Sequence, residues 1–336
     1  MQKEKVPKVS VCVITYNQEK YIRQCLQSIV DQKTNFEFEV IIGEDCSTDG
    51  TRSIVMEFEA KYPDIVNPIY HKKNAGGRGT NNLLAVYGAA RGKYIAHMDG
   101  DDYMLPGKLQ IQYDELENNP DCTICVHEMK RLDQQKKRFL EVVSKNIPAK
   151  SNIEYLLMNL PFFPHSSKMF RAVCHNGLEV RSEELLDCYF HVHHALAGNI
   201  LYLNKCLGVY RLNIGNASDK NDTRNNIYKK PNPILLDLVI EAIEYAKRSG
   251  VESSIVTKAI AKAYFNFSYS CLMAHDFKKF QLYVNKSIET MKLNPIQEIF
   301  GFFSNYPSLL FLLVRLRAVI RTFPVNISIN AALKGK

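Results

Sequence analysis

In the first 125 or so residues, short apolar runs alternate with segments that repeat apolar residues at helical spacing. The run at 9–14 is apolar; Tyr21, Ile22, Cys25, Leu26 and Ile29 then follow at helical spacing. The run at 39–42 is followed by Ile54, Val55 and Phe58, the run at 66–70 by Leu83, Leu84, Val86 and Tyr87, and a fourth run covers 94–98. Such alternation predicts an α/β fold with a mostly parallel sheet and helices on both faces. In sheets of this kind ligands bind outside the carboxyl ends of the strands. That edge is where the chain puts its polar loops: Thr15-Tyr16-Asn17, then 43–51 (GEDCSTDGT), then 99–102 (DGDD). A glycine-rich loop, 74–79, precedes the third helical segment.

Beyond this the pattern changes. Residues 122–150 read as a strand or two with a basic connection (Lys136, Lys137, Arg138), 182–196 as helix, and 200–203 and 207–211 as short extended runs. A polar stretch at 213–232 precedes helical segments at 235–248, 256–274 and 277–291. The chain is 336 residues long, more than one core usually serves, so two regions are expected: 1–218, holding the sheet, and a helical 219–336. A composition 46% hydrophobic and 23% charged excludes a disordered chain. Nine cysteines, an odd number in a long chain, do not form a disulfide framework and fit a reducing, cytoplasmic compartment.

Asp99, Asp101 and Asp102 are three carboxylates within four residues at a strand end. They repel one another, and their hard oxygens suit Mg²⁺ or Mn²⁺, which commonly completes its shell with substrate phosphate. The alternative is a solvated acidic turn. Asp45, at the end of the second strand, can accept hydrogen bonds from a base or ribose, while Ser47, Thr48 or Asp49 can cap the next helix. Tyr16 at the sheet edge can stack on a base or be partly buried.

Together the runs VSVCVITYNQEKYIRQCLQSI, FEVIIGEDCSTDGT and GKYIAHMDGDDYMLPGKLQ resemble glycosyltransferase family 2, with the GT-A (Rossmann-like) fold. The resemblance continues through HSSKMFR (165–171) and DCYFHVHHALAGNILYLNKCLGVYR (187–211), and so covers about 8–218. It implies a non-processive, inverting, metal-dependent hexosyl- or N-acetylhexosaminyltransferase of bacterial surface-glycan type, using a nucleotide-sugar, most often UDP-linked, and a glycan or lipid-linked acceptor. Thr15, Tyr16 and Asn17 would line the nucleotide, with Tyr16 flanking the base and Asp45 bonding its edge. Arg78 would help hold the nucleotide. Asp99 and Gly100 would meet the ribose, Asp101 would ligate Mn²⁺ or Mg²⁺ with help from Asp99, and Asp102 would support the loop. Asp187 stands where relatives carry the catalytic base, with Glu184 and then Glu183 as rivals. Transfer needs a base near the acceptor hydroxyl and a cation against the leaving diphosphate, hence two separated acidic sites.

Two departures matter. Relatives often carry His where this chain has Asn213, and with no Trp the QxxRW motif of processive polymerases cannot exist. Two other readings compete: a nucleotidyltransferase, which would need a glycine-rich loop where Thr15-Tyr16-Asn17-Gln18 stands, and an inactive nucleotide- or sugar-binding module, expected to lose one acidic site. His191, His193 and His194 read as structural or surface histidines, since their spacing does not converge on one ion. Cys122 and Cys125 lack the second pair of a zinc site.

The net charge is +8, and much of the excess lies in the 130–150 connection and near the C-terminus. No run is long enough to span a bilayer, and the N-terminal apolar run is too short for a signal peptide. On a helix at 307–323, Leu309, Leu312, Leu313, Leu316, Ile320 and Phe323 share one face, with Arg315, Arg317 and Arg321 off it. That helix either docks on its own domain or lies on an anionic membrane surface; its basic, acid-free surroundings favour the membrane, peripheral on the inner face. Nucleic acid is not expected as a partner.

Overall fold

The computed structural model describes residues 6–140, 147–160, 162–180, 184–212, 214 and 231–322. Contacts divide the chain into two compact units: Met1–Lys220 with Asp237–Val256, and Asn221–Leu236 with Thr257–Lys336.

The first unit is built on one mixed sheet. Its strands are β1 (Val9–Thr15), β2 (Phe38–Glu44), β3 (Val66–Tyr70), β4 (Tyr94–Asp99), β5 (Tyr103–Met104), β6 (Cys122–Asp133), β7 (Arg138–Leu140), β8 (Lys150–Ser151), β9 (Met169–Arg171) and β10 (Asn199–Leu212). The order is β3-β2-β1-β4-β9-β6-β10-β5, with β7 on β6 and β8 on β10. β1 pairs in parallel with β2 and β4, and β9 is antiparallel to both β4 and β6. Val9, Val11, Cys12 and Val13 are wholly buried, which explains why β1 reads as a continuous apolar run.

The helices beside this sheet are α1 (Ile22–Val30), α2 (Thr51–Lys61), α3 (Thr80–Gly88), α4 (Lys108–Asn118), α5 (Ile153–Met158) and α6 (Asp187–Ala195). Ile22, Cys25, Leu26 and Ile29 form the buried stripe of α1, as their spacing predicts. α3 sits tightly on β2: Asn82 Nδ2 donates to the Gly43 carbonyl at 2.8 Å, and a Cβ on Gly43 would fall 1.9 Å from Asn82 Oδ1. At the amino edge, buried Glu39 accepts from Ser10 Oγ (2.6 Å), the Arg91 amide (2.9 Å) and the Arg91 guanidinium (2.8 Å), so its charge is fully paired.

Three boundaries differ from the sequence expectation. The runs at 200–203 and 207–211 are one strand, β10, which stays paired to β6 through irregularities between Leu203 and Gly208. The helix expected from 182 is described from Asp187, as α6, with Leu186 extended before it. The sheet is also less uniformly parallel than expected: β9 runs antiparallel to β4 and β6, and the short strands β5, β7 and β8 are antiparallel to their partners.

Among the described residues five helices follow: α7 (Pro233–Arg248), α8 (Ser253–Met273), α9 (Phe277–Thr290), α10 (Pro295–Phe302) and α11 (Pro307–Thr322). Within the first unit, Tyr245 on α7 stacks on Tyr189 at 4.6 Å and its hydroxyl lies 2.7 Å from His193 Nδ1. The second unit packs Phe280, Val284, Cys271, Leu272 and Phe300 in its core. Asp276 and Asn294 cap α9 and α10 by accepting the amides of Lys279 and Gln297. On α11, Leu310 turns inward, while the expected apolar face (Leu309, Leu312, Leu313, Leu316) is exposed. Phe323 and the side chains of Arg317, Ile320 and Arg321 lie outside what is described. Among the described residues no helix is long and apolar enough to cross a membrane.

Lys108, the first residue of α4, is wholly buried and its Nζ has no hydrogen-bond partner among the described residues. Burial pushes it down to about 7 from 10.5, so the folded state gives up this proton well before the unfolded chain does. The lysine's cost is therefore full below pH 7 and shrinks as the pH rises toward 10. Lys108→Met is expected to stabilise the fold at pH 7 by about 1–3 kcal/mol, and by less at pH 9. Urea midpoints at the two pH values measure this; equal gains at both would contradict it.

Candidate active site

The loops after β1, β2 and β4 meet at one edge because the three strands end in register, with Thr15 opposite Glu44 and Ile14 opposite Asp99. Backbone bonds continue the register outward: the Asp45 amide donates to the Thr15 carbonyl (3.1 Å) and the Gly100 amide to the Ile14 carbonyl (2.9 Å). Side chains then tie the first two loops together. Ser47 Oγ accepts from the Asn17 amide (3.0 Å), Asn17 Oδ1 from the Thr48 amide (2.8 Å) and Thr51 Oγ1 from the Gln18 amide (2.7 Å). Asp49 accepts from the Glu19 and Thr51 amides instead of acting as the formal cap, which is Gly50. Asn17 is left-handed, with φ 52°, and Tyr16 stands 44% exposed beside it, an aromatic face open at the strand end.

Asp45 is buried. Its oxygens accept from the Ala75 amide (2.6 Å) and Asn74 Nδ2 (3.0 Å), so it clasps the glycine-rich loop against β2. Burial raises its affinity for a proton above the usual carboxylate value. Further along that loop Arg78, left-handed at φ 51°, pairs with Glu184 at 2.8 Å. The pair brings together a residue expected to hold nucleotide and one of the rival bases.

The acidic loop is held from two sides. Asp102 is buried; its Oδ1 accepts from the Arg211 amide (2.9 Å) and its Oδ2 has no partner among the described residues. The Arg211 guanidinium donates to the Asp101 carbonyl and to Gln24, and lies over the rings of Tyr21 and Tyr103. On the other side, Asp99 Oδ1 accepts from His97 Nε2 (3.2 Å) and its Oδ2 from Ser166 Oγ (3.1 Å). Burial pushes Asp99 up, but His97 outweighs it and the carboxyl titrates below its ordinary value.

From Asp99 a chain of side chains leads to Asp187. The His97 ring stacks on His165 with centroids 3.7 Å apart, and His165 Nδ1 lies 3.3 Å from Asp187 Oδ1. Tyr87 Oη stands 3.2 Å from His165 Nε2. His165 is buried, whereas the Asp187 side chain, in the first turn of α6, is half exposed. A carboxylate there gains from the helix dipole.

Tyr87, His97, His165, Ser166 and Arg211 were given no role by the sequence. The signal for His97, His165, Ser166 and Arg211 lay in matched blocks, GKYIAHMDGDDYMLPGKLQ, HSSKMFR and the closing Arg of GVYR, whose function spacing alone does not reveal, and Tyr87 lies outside those blocks. His191, His193 and His194 are structural histidines buried in the unit, not surface ones. His191 Nδ1 and His194 Nδ1 face the Nζ of buried Lys168 at 3.3 and 3.4 Å. Burial draws Lys168 down to about 7 against the pull of Asp187 and Asp99. Glu183 and Asn213 lie outside the described residues.

Among the described residues no group of three His, Cys, Asp or Glu converges to hold a metal alone. The acidic loop nevertheless fits a hard divalent cation. Its carboxylates crowd one another enough that burial and the charges of Asp101 and Asp99 push Asp102 well above its usual range. Asp102 Oδ2, buried without a partner among the described residues beside the carboxylates of Asp99 and Asp101, suits a cation held by one or two carboxylates with a phosphate ligand completing the shell.

A mixed sheet with a parallel β3-β2-β1-β4 half, helices beside it and an acidic loop beyond β4 define the GT-A class. Staphylococcus aureus TarS, solved with UDP-GlcNAc, shares the fold at TM-score 0.61 and 18% identity over 94% of this chain and 92% of that one. A mannosyltransferase from Pyrobaculum calidifontis, solved with GDP-Man and Mn²⁺, does so at TM-score 0.56 and 15% identity over 91% and 86%. Residues 10–176 form a domain of glycosyl transferase family 2. An uncharacterized protein of Mycobacterium tuberculosis is 34% identical over 204 residues, 60% of this chain, which spans 58% of that relative's length. TuaG of Bacillus subtilis, named as a teichuronic acid biosynthesis glycosyltransferase, is 37% identical over 106 residues, 32% of this chain and 40% of that one.

Gly100 approaches β1 too closely for a side chain: a Cβ would lie 2.4 Å from Gln18 Oε1 and 3.0 Å from Thr15 Cβ. Gly100→Ala is expected to cost about 1–3 kcal/mol, measured by urea unfolding. A variant as stable as wild type would mean that the acidic loop moves away from β1 without cost.

Proposed function

We propose that this protein transfers a single hexosyl or N-acetylhexosaminyl group, with inversion, from a nucleotide-sugar, UDP-linked, to a hydroxyl of a glycan or lipid-linked acceptor in surface polysaccharide synthesis. The observation that carries the reading is the pairing of two acidic sites through one stack: Asp99 on His97, His97 on His165, and His165 on Asp187. Family membership and the glycosyltransferase name of TuaG support the reaction class. The nucleotide-sugars in the complexes of TarS and the Pyrobaculum enzyme support the donor class.

In this reading Tyr16 stacks on the base, and Thr15, Asn17 and the Gly100 backbone line the nucleotide. Asp45 reaches the base edge once a donor displaces Asn74, and Arg78 meets the nucleotide by releasing Glu184. Asp101, with Asp99, would hold Mn²⁺ or Mg²⁺, and the ion would supply positive charge against the diphosphate. Asp187 accepts the proton of the acceptor hydroxyl as its oxygen bonds to the anomeric carbon and the bond to the diphosphate breaks. His165 holds Asp187 in place: Tyr87 Oη donates to Nε2, which leaves the proton on Nδ1 to face the carboxylate. Glu184, paired with Arg78, is the weaker candidate base.

Three measurements test this. Asp187→Asn and Asp101→Asn are each expected to lower kcat at least about 100-fold in transfer assays over UDP-, GDP- and dTDP-sugars, and near-normal turnover would remove the role assigned to that residue. Chelation of divalent ions is expected to abolish transfer, and Mn²⁺ to restore it. His165→Leu is expected to lower kcat about tenfold or more with donor KM unchanged. His165→Asn, which keeps a donor near the Nδ1 position, recovers part of that loss. A fall in His165→Leu that tracks thermal stability, with no recovery in His165→Asn, would make His165 merely structural.

A further inference from the structure

We propose that the outward face of α10 and α11 is a docking surface for an anionic lipid bilayer. α11 packs on its own unit through Leu310, which is 3% exposed, with Phe311 and Val314 half-buried on the same side. Its opposite side needs no leucine for that packing, yet Leu309, Leu312, Leu313 and Leu316 stand there 45–56% exposed. α10 repeats the pattern: Gln297 and Phe300 turn inward, while Ile296, Ile299 and Phe302 face out, Phe302 at 74%. Tyr306, 63% exposed, stands between the two helices. Single exposed apolar residues need no explanation, but a row repeated every three or four positions over two successive helices does.

Charge selects the occupant. From Gly301 onward the sequence carries Arg315, Arg317, Arg321, Lys334 and Lys336 and no Asp or Glu. Arg315 is exposed beside the leucines. The nearest acid on α10, Glu298, is already paired with Lys292 at 3.4 Å. Two copies meeting face to face would bring like charges together, whereas an anionic lipid surface takes both the leucines and the arginines. Aromatic residues such as Phe302 and Tyr306 also suit the headgroup level. The proposal stands on this surface and is independent of the transfer chemistry.

Co-sedimentation of the full chain with vesicles tests it. Partition onto phosphatidylglycerol–phosphatidylcholine vesicles is expected to exceed that onto pure phosphatidylcholine about tenfold or more, and to fall in high salt. The double variant Leu312→Ser/Leu313→Ser, altered only at exposed positions, is expected to melt like wild type and to lose about tenfold or more in partition. Arg315→Gln is expected to lose about fivefold on the anionic vesicles alone. Equal partition on both vesicle types, or wild-type partition by the serine variant, overturns the proposal. So does a dimer, seen by sedimentation, that the serine variant breaks in a chain that ignores vesicles.

Discussion

β1 is the strand on which the rest of the first unit depends. It is paired in parallel on both sides, to β2 and to β4, and its residues from Val9 to Val13 have no contact with water. A parallel pair fixes more than adjacency, because it sets where each strand stops relative to its neighbour. With Thr15 opposite Glu44 and Ile14 opposite Asp99, three loops must leave the sheet at one level. A slip of one residue would turn the buried valines to the other face, and it would also separate the acidic loop from the aromatic one. The site geometry is thus set by core packing, well below the loops that carry the chemistry.

The two edges of the sheet treat polar groups in opposite ways. At the amino edge the buried charge of Glu39 is satisfied by Ser10 and Arg91, an arrangement that only stabilises. At the carboxyl edge, satisfaction is incomplete among the described residues: His97 Nδ1, Asp102 Oδ2 and Arg211 Nε are buried without hydrogen-bond partners. Backbone strain gathers at the same edge, where Asn17, Cys46 and Arg78 all adopt positive φ. Each such residue costs about 1–2 kcal/mol. Polar groups left short and strained loops are what a site preformed for a charged ligand would carry.

The sheet and the loops at its edge were legible because their signals are local. Continuous apolar runs mark the buried parallel strands, and Asp99–Asp102 follows one of them directly. What stayed hidden depends on residues far apart in sequence. Nothing in the periodicity sets His97 beside His165, because β9 inserts between β4 and β6 and carries the HSSKMFR block into the sheet. His191 and His194 of α6 looked unconnected because their shared partner, Lys168, comes from that same inserted block. On α11 spacing picks out one apolar row, but a helix with a second inward row (Leu310, Phe311, Val314) does not reveal by spacing which row packs.

The cations of the site sharpen the case for a divalent ion. A nucleotide-sugar brings a diphosphate to an edge already rich in carboxylate, so some positive charge has to meet it. The arginines nearby are committed: Arg52 to buried Glu44, Arg78 to Glu184, and Arg211 to the Asp101 carbonyl and Gln24. Lys168, behind Asp99 and Asp187, is drawn down to about 7 and so is only partly charged near neutrality. Each arginine would have to give up a present partner before it could bind phosphate; the proposed metal adds charge without breaking those bonds. Arg78 is the exception that geometry allows, because it and Glu184 are both partly exposed and their separation costs little. Its release by an incoming donor would also free Glu184, and would make the rival base a companion of nucleotide binding.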